Sequence, residues 1–379
     1  MSSKSWDAIV VGGGPAGLAA SIALRQRGLD VMVAEALTPP IDKACGEGLM
    51  PDSRQELAQL GVELSANDGA EFYGIHFANR NGRRNDCVTA EFGNGRGLGV
   101  RRLHLHARLV ERAQSLGVQL QWGSRVELKE GRPIRINGDE ASYRYLVGAD
   151  GQSSRVRQWA GLERASLVSR RFGFRKHYRV APWSRLVEIH WGPMGQAYVT
   201  PVGNEEICVA TMTRLPGVPM DAILDKIPFL RDRLRSEISS TRVRGAVTTT
   251  RSLHRVVSRN VALIGDASGS ADAITGEGMA MAFRQALLLS DSLQRGTLED
   301  YRAGHASILK LPQTMARVML AMDRWPAFRD RAMRMMANEP AIFRRMLGVH
   351  VGEESLSGFL LRQGLHLGWS LLAPETAST

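Results

Sequence analysis

Cysteine is scarce in this sequence. Cys45, Cys87 and Cys208 are the three present, they lie far apart, and they form no C-x-x-C pair. This excludes a disulfide framework and leaves no zinc motif, so no metal is expected and a reducing compartment fits. Long apolar runs are missing as well: no uncharged stretch approaches the ~18 residues that a membrane span needs. The first apolar run begins by Ala8, leaving no room for a signal peptide, so a cytoplasmic protein is expected. Acidic residues are outnumbered, 38 against 49 Lys and Arg, for a formal charge of +11. Such a charge suits nucleic acid, an anionic membrane or an acidic substrate. Neither a helix-turn-helix nor an RNP-like aromatic pattern stands out, and no nucleic acid is expected as partner. Low-complexity tracts and repeats are absent. With 44% hydrophobic and 23% charged residues the chain is an ordinary folded protein, and its 379 residues exceed what one compact core holds, so closely joined domains are the default.

What is present starts with the stretch Trp6 to Glu35. An apolar run, Ala8 to Val11, leads into Gly12-Gly13-Gly14-Pro15-Ala16-Gly17, then an Ala/Leu-rich segment ending at Gly28 and a second apolar run, Val31 to Ala34. This reads as strand, glycine turn, helix, strand. Gly12 allows the tight turn, Gly14 lets a pyrophosphate reach the backbone, and Gly17 lets the helix lie on the strand, with Pro15 and Ala16 opening the helix whose N-terminus holds the phosphates. Glu35, ending the second strand, would accept hydrogen bonds from an adenosine ribose. The fold class is therefore α/β, a Rossmann-type domain.

Further on, Lys43-Ala44-Cys45-Gly46-Glu47-Gly48 forms a loop at the carboxyl edge of a strand. Gly46 and Gly48 remove side chains at alternate positions, which suits a flat ring system; the alternative is a plain turn before a helix over 52–60. Residues 71–98 read as short strands, and Gly93 to Gly99 as a flexible connection. The stretch Val100 to Leu116 reads as an amphipathic helix with Leu105, Leu109, Ala113 and Leu116 on one face and Gly117 as its stop. From Ser169 to about Thr250 the runs alternate with period two, an antiparallel sheet interrupted by a helical piece over 220–240. A buried strand then ends at Gly265-Asp266, and Ala273-Ile274-Thr275-Gly276-Glu277-Gly278-Met279 starts a helix running to about Arg295. After Leu298 the sequence is helical, punctuated at Pro312, Pro326 and Pro340. The expected division is a discontinuous nucleotide domain over 1–168 and 251–300, with part of 65–100 joining the substrate layer; an inserted antiparallel β-sheet substrate domain over 169–250; and a helical C-terminal region over 301–379.

Three motifs at these separations carry a resemblance: the glycine turn, Asp150-Gly151 with Ser154, Val156 and Arg157 (D-G-x-x-S-x-V-R), and Gly265-Asp266 (G-D-A). Together they resemble the FAD-dependent superfamily of para-hydroxybenzoate-hydroxylase-like monooxygenases, flavin halogenases and geranylgeranyl reductases, over residues 6 to about 295. The resemblance implies that FAD is the cofactor and NADH or NADPH a transient reductant. It implies that Asp150 and Gly151 support both, that Asp266 accepts a bond from a ribityl hydroxyl, that the helix end at Gly276, Gly278 and Met279 faces the flavin, and that Arg102 reaches the cofactor. Read from its residues alone, the Asp150-Gly151 turn is equally a helix cap. The Cys45 to Gly48 loop and Thr275 to Gly278 look more like the geranylgeranyl reductases than the aromatic hydroxylases, and no two tryptophans are spaced by one residue as the halogenases require.

Because a flavin carries the hard chemistry, few side chains are obligatory. His177 and His190 are candidates for proton transfer, with Tyr178, Glu188 and Tyr198; Glu188 and His190 share one face of a strand and are close enough to couple. Cys45 either donates a proton beside the ring or packs there. The last region holds seven of the fifteen methionines, and Tyr301 to His350 carries nine Lys and Arg against three acids. Those helices either cap the substrate domain with basic outer faces, or meet a membrane surface or an acidic carrier protein. The reading is an NAD(P)H-dependent FAD monooxygenase hydroxylating a hydrophobic aromatic or polyketide-like small molecule, free or carrier-bound. A reductase of prenyl-lipid C=C bonds is the alternative, and a halogenase a lesser one.

Overall fold

The computed structural model describes residues 5–79 and 87–362; the end of the expected C-terminal region, 363–379, lies outside them. One layer is a six-stranded sheet ordered Val257–Ser258, Val261–Leu263, Ser142–Gly148, Ser5–Val11, Val31–Ala34 and Gln119–Gln121. All neighbours run parallel except the first pair. Parallel neighbours need crossovers, and strands covered on both faces need continuous apolar runs, which is why Ala8 to Val11 and Val31 to Ala34 carry no alternation. Helices Pro15–Gln26, Arg102–Ser115 and Gly278–Gln294 pack Leu18, Ile22, Leu105, Leu109, Phe283 and Leu289 against one face. A three-stranded ribbon, Val126–Glu127, Arg135–Ile136 and Asp139–Glu140, closes the other with Ile134 and Ile136. Each such side chain fully buried contributes roughly 1.5–3 kcal/mol of transfer free energy.

The second layer has eight strands, ordered Gly269–Ser270, Arg244–Leu253, Ala165–Tyr178, Glu206–Thr213, Gly195–Gly203, Val187–Gly192, Gly74–Ala78 and Cys87–Glu91. Only Val187–Gly192 with Gly74–Ala78 is parallel. Its register sorts the side chains. His177 pairs with Cys208 and Cys208 with Thr200, while Ala210 sits between Arg175 and Tyr198, so these share one face. Tyr178, Ala197, Val199 and Val209 lie on the other, beneath Met220, Leu224 and Leu230. The helical piece expected over 220–240 is two short helices, Met220–Asp225 and Pro228–Leu234: a proline starts a helix readily but does not continue one.

The same rule works twice more and fails once. Pro326 and Pro340 open the helices Pro326–Asn338 and Pro340–His350, whereas Pro312 lies inside the helix Glu299–Arg324. Met322, Met333, Met335 and Met336 are buried against Phe77, Ile189 and Trp191, while Arg317, Arg324, Arg334 and Arg344 are exposed. The described part of the region is thus a cap on the eight-stranded sheet with a basic outer side. Gly93 to Gly99 is also not a free connection. Gly97–Gly99 is a buried strand between Gly48–Leu49 and Ala70–Phe72. A Cβ at Gly97 would stand 2.2 Å from the Phe72 ring, and one at Gly99 1.7 Å from the Pro201 carbonyl oxygen; the glycines serve close packing.

Candidate functional site

The glycine turn divides its labour by space. A Cβ on Gly17 would sit 1.8 Å from the Gly12 carbonyl oxygen, and one on Gly12, whose φ is +113°, 2.4 Å from that of Ala149. Both glycines are demanded by the fold. Gly14 is different, since nothing lies within 4 Å of its missing Cβ. That open ground fronts the free N–H groups of the helix starting at Pro15, which is where a phosphate is held. The Glu35 carboxylate accepts bonds from the N–H of Gly13 at 2.6 Å and of Leu37 at 2.8 Å; further lone pairs stay available for a ribose.

The helix Arg102–Ser115 leans on this turn. His106 Nε2 is 3.0 Å from the Gly13 carbonyl oxygen, and burial pulls the imidazole below its ordinary pKa. Arg102, one turn earlier on the same face, has its Nε buried with no acceptor. The adjacent Arg101 is committed elsewhere, at 2.7 Å from Glu206.

The other two motifs brace each other. Asp150 accepts from Ser154 Oγ at 2.5 Å and from the N–H groups of Arg155 and Val156, so it caps the helix Arg155–Trp159. Ser154 caps it too, through the Arg157 N–H. Buried Arg157 donates to the carbonyl oxygens of Gln152 and Ala267, tying this turn to Gly265–Ser268. Gly265 has φ +59°, and a Cβ there would meet Ala16 at 2.7 Å, so the third motif is packed on the first. Asp266 faces outward and pairs with Lys43 at 3.1 Å. Gly276 has φ +74°, and at Gly46, Gly151, Gly276 and Gly278 a Cβ would again meet nothing within 4 Å. Met279 packs against the core behind them.

Glu47 fixes the loop carrying Cys45 and Gly46. It adopts φ +61° and is 2% exposed. Its Oε1 accepts the N–H of Arg102 at 3.0 Å, capping that helix, and its Oε2 lies 2.6 Å from His177 Nε2. Arg175, bonded to Asp42, stands 3.8 Å from Glu47 and supplies counter-charge. Cys208 donates to the Cys45 carbonyl oxygen at 3.7 Å, and burial pushes its thiol well above the ordinary range. Cys45 is partly exposed, and its sulfur accepts the Glu47 N–H at 3.4 Å.

These contacts bring the segments bearing Gly12, Gly14, Pro15, Ala16, Gly17, Glu35, Cys45, Gly46, Arg102, Asp150, Gly151, Gly265 and Asp266 into one connected group, and the helix of Gly276, Gly278 and Met279 is tied to it by Gln285, which accepts the Gly265 N–H. His177 lies beneath the loop, locked between Glu47 and Thr241. His190 is not brought there. It does couple to Glu188, at 2.9 Å, but on the outer face of the sheet, stacked at 5.4 Å on Phe229 of the covering helix. The strand's period of two, which puts the pair together, also puts it on the wrong side. Sequence reasoning passed over Glu47, Arg175 and His106. His106 was legible as the i+4 neighbour of Arg102; the other two needed the tertiary pairing.

The residues present fit FAD: an open phosphate turn, a strand-end carboxylate, an orphaned guanidinium nitrogen beside the turn, and glycine-lined ground at a helix start. These features define a dinucleotide-binding flavoprotein. Residues 5–194 match the FAD binding domain family, and the chain belongs to it; it is an FAD-dependent oxidoreductase. The chain is 29% identical over 303 residues to a menaquinone reductase of Mycobacterium tuberculosis, covering 73% of each protein. It is 24% identical over 331 residues to a digeranylgeranylglycerophospholipid reductase of Methanosarcina mazei, covering 81% of this chain and 79% of that one. The crystal structure of a flavoprotein/dehydrogenase from Cytophaga hutchinsonii superposes with a TM-score of 0.80 at 18% identity, over 96% of this chain and 100% of that one.

Proposed function

We propose that this protein is an NADH- or NADPH-dependent FAD monooxygenase that would hydroxylate an apolar aromatic or polyketide-like small molecule, taking one oxygen atom from O₂ and releasing the other as water. The observation that carries the apolar substrate is the junction at Tyr198. Its hydroxyl donates to the Ile274 carbonyl oxygen at 2.9 Å, joining the substrate sheet to the glycine-rich helix end. Ile274 itself belongs to the apolar cluster of Phe77, Ile189, Trp191 and the methionine-rich cap. On the Ile274 side an apolar molecule would meet hydrocarbon and thioether groups, which exclude water and adapt to an irregular shape, while Arg171, Asp272 and Asp323 beside Tyr198 add a polar end. The flavin supplies the electron transfer; this chain's residues bind it, orient it and keep its surroundings dry.

A second reading, reduction of C=C bonds in a prenyl lipid, is favoured by the relatives matched over most of the chain, both named as reductases. Oxygen separates the two. Turnover of NADPH and substrate should require O₂ and add one of its atoms to the product. Anaerobic turnover giving a product two hydrogens heavier would overturn the first reading in favour of the second.

A further inference from the structure

Behind the loop and the helix end lies a group of ionisable side chains that the cofactor cradle does not use. Asp52 and Glu56, one turn apart on the helix Pro51–Gln59, both bind Arg284 of the helix Gly278–Gln294, its Nη2 to Asp52 and its Nε to Glu56. Glu277 stands at the N-cap of that second helix without a side-chain cap bond, is 4% exposed, and has the Thr275 hydroxyl beside it. From a third side, His350 at the end of Pro340–His350 brings its Nδ1 within 3.6 Å of Glu277 Oε2. That imidazole is 14% exposed, and on this third side it is the group that joins Glu277 to the surface; Arg284 and Asp52, at 27% and 13%, reach solvent on the other side. Three carboxyls thus share one guanidinium and one imidazole in the interior. With no proton bound, three carboxylates face a single guanidinium, an excess of negative charge that burial opposes. Burial accordingly raises Glu277 and lifts Glu56 to about 7, so the group shares a proton near neutrality. Glu277 stands between Gly276 and Gly278, at each of which a Cβ would meet nothing within 4 Å.

We propose that Glu277 couples proton uptake to electron uptake: when negative charge arrives at the Gly276–Gly278 helix end, the Glu277–Glu56–Asp52 group takes a second proton from solvent through His350, and it releases that proton when the charge leaves. This rests on the FAD reading above. The balance is simple. A nicotinamide delivers two electrons and one proton together as hydride, leaving one negative charge at the helix end. The proton entering through His350 offsets that charge, so two electrons enter with two protons in all.

The test is the pH dependence of the two-electron midpoint potential of the FAD-loaded protein across neutral to mildly alkaline pH. Each proton coupled to two electrons changes the equilibrium constant tenfold per pH unit, about 30 mV. The protein as it stands should show two protons, about 60 mV per pH unit; Glu277→Gln should show one, and Glu277→Asp should restore two. If Glu277→Gln fails to fold, Glu56→Gln must give the same drop. An unchanged slope in a flavin-loaded variant, or one proton in the unmodified protein, overturns the proposal. Failure of the unmodified protein to bind FAD at all would instead sink the reading on which it rests.

Discussion

Glu47 Oε2 and His177 Nε2 stand 2.6 Å apart, and both side chains are shut off from solvent. Through this contact the substrate sheet holds the loop that carries Cys45 and Gly46, and through Glu47 Oε1 the same carboxylate caps the helix bearing Arg102. His177 therefore acts on the cofactor site by holding Glu47. Removing one partner of a buried charged pair costs about 3–5 kcal/mol, because the remaining charge stays buried. Glu47→Ala should lose stability of that order, since Arg175 is left with Asp42 alone, and should retain FAD poorly. His177→Gln should lower both the melting temperature and FAD occupancy. A His177→Gln protein with full stability, full flavin and a collapsed kcat would show that the imidazole takes part in the reaction instead.

Space around the glycines predicts two distinct failures. Gly17→Ala drives a methyl into the Gly12 carbonyl, so helix and strand must separate and the protein should lose its cooperative unfolding transition. Gly14→Ala meets nothing and sits at φ −73°, which alanine adopts freely. Its cofactor-free form should unfold within about 0.5 kcal/mol of the parent, yet bind FAD far more weakly, because the methyl occupies the ground where the pyrophosphate approaches. Visible flavin absorbance after gel filtration, set beside a thermal melt, reads both. A Gly14→Ala protein that keeps its flavin would remove the turn from the phosphate site.

Lys43 and Asp266 make a partly exposed ion pair, of the kind worth about 0.2–1 kcal/mol. Asp266 must give up some of that interaction to accept a ribityl hydroxyl. Lys43→Ala should then tighten FAD binding by no more than about fivefold, and the gain should shrink with added salt. A large loss of affinity would mean that Lys43 itself touches the cofactor.

Much of the fold that carries this site is legible in the sequence. Apolar runs broken by glycines at fixed spacing identify parallel strands and phosphate turns, because the backbone constraints there admit almost nothing else. Period-two alternation likewise announced the inserted sheet. It did not reveal which face meets the cofactor, so His177 and His190 read alike although one lies under the loop and the other on the far side. Glu47 was hidden for a related reason: a buried carboxylate is defined by its partners, and Arg175, His177 and the Arg102 N–H come from distant segments. The glycines at 97 and 99 misled because close packing and flexibility call for the same residue.

Two buried groups pull the pH dependence of stability in opposite directions. Burial lifts Glu56 from about 4.5 to about 7. Between those values the folded state binds more protons than the unfolded one, so stability falls as pH rises through the window. His305, held by Ser268 and Gln285, is pulled by burial from 6.5 to about 4. There the unfolded state binds more protons, and stability falls as pH drops. Each effect amounts to about 3 kcal/mol over its range, and the windows nearly coincide. The contributions of these two groups should therefore largely cancel from about pH 4.5 to 6.5. Glu56→Gln removes one slope and should leave a protein that loses stability toward acid. His305→Asn removes the other and should leave one that loses stability toward neutrality. Parallel profiles for the two variants would mean that neither group carries the assigned shift.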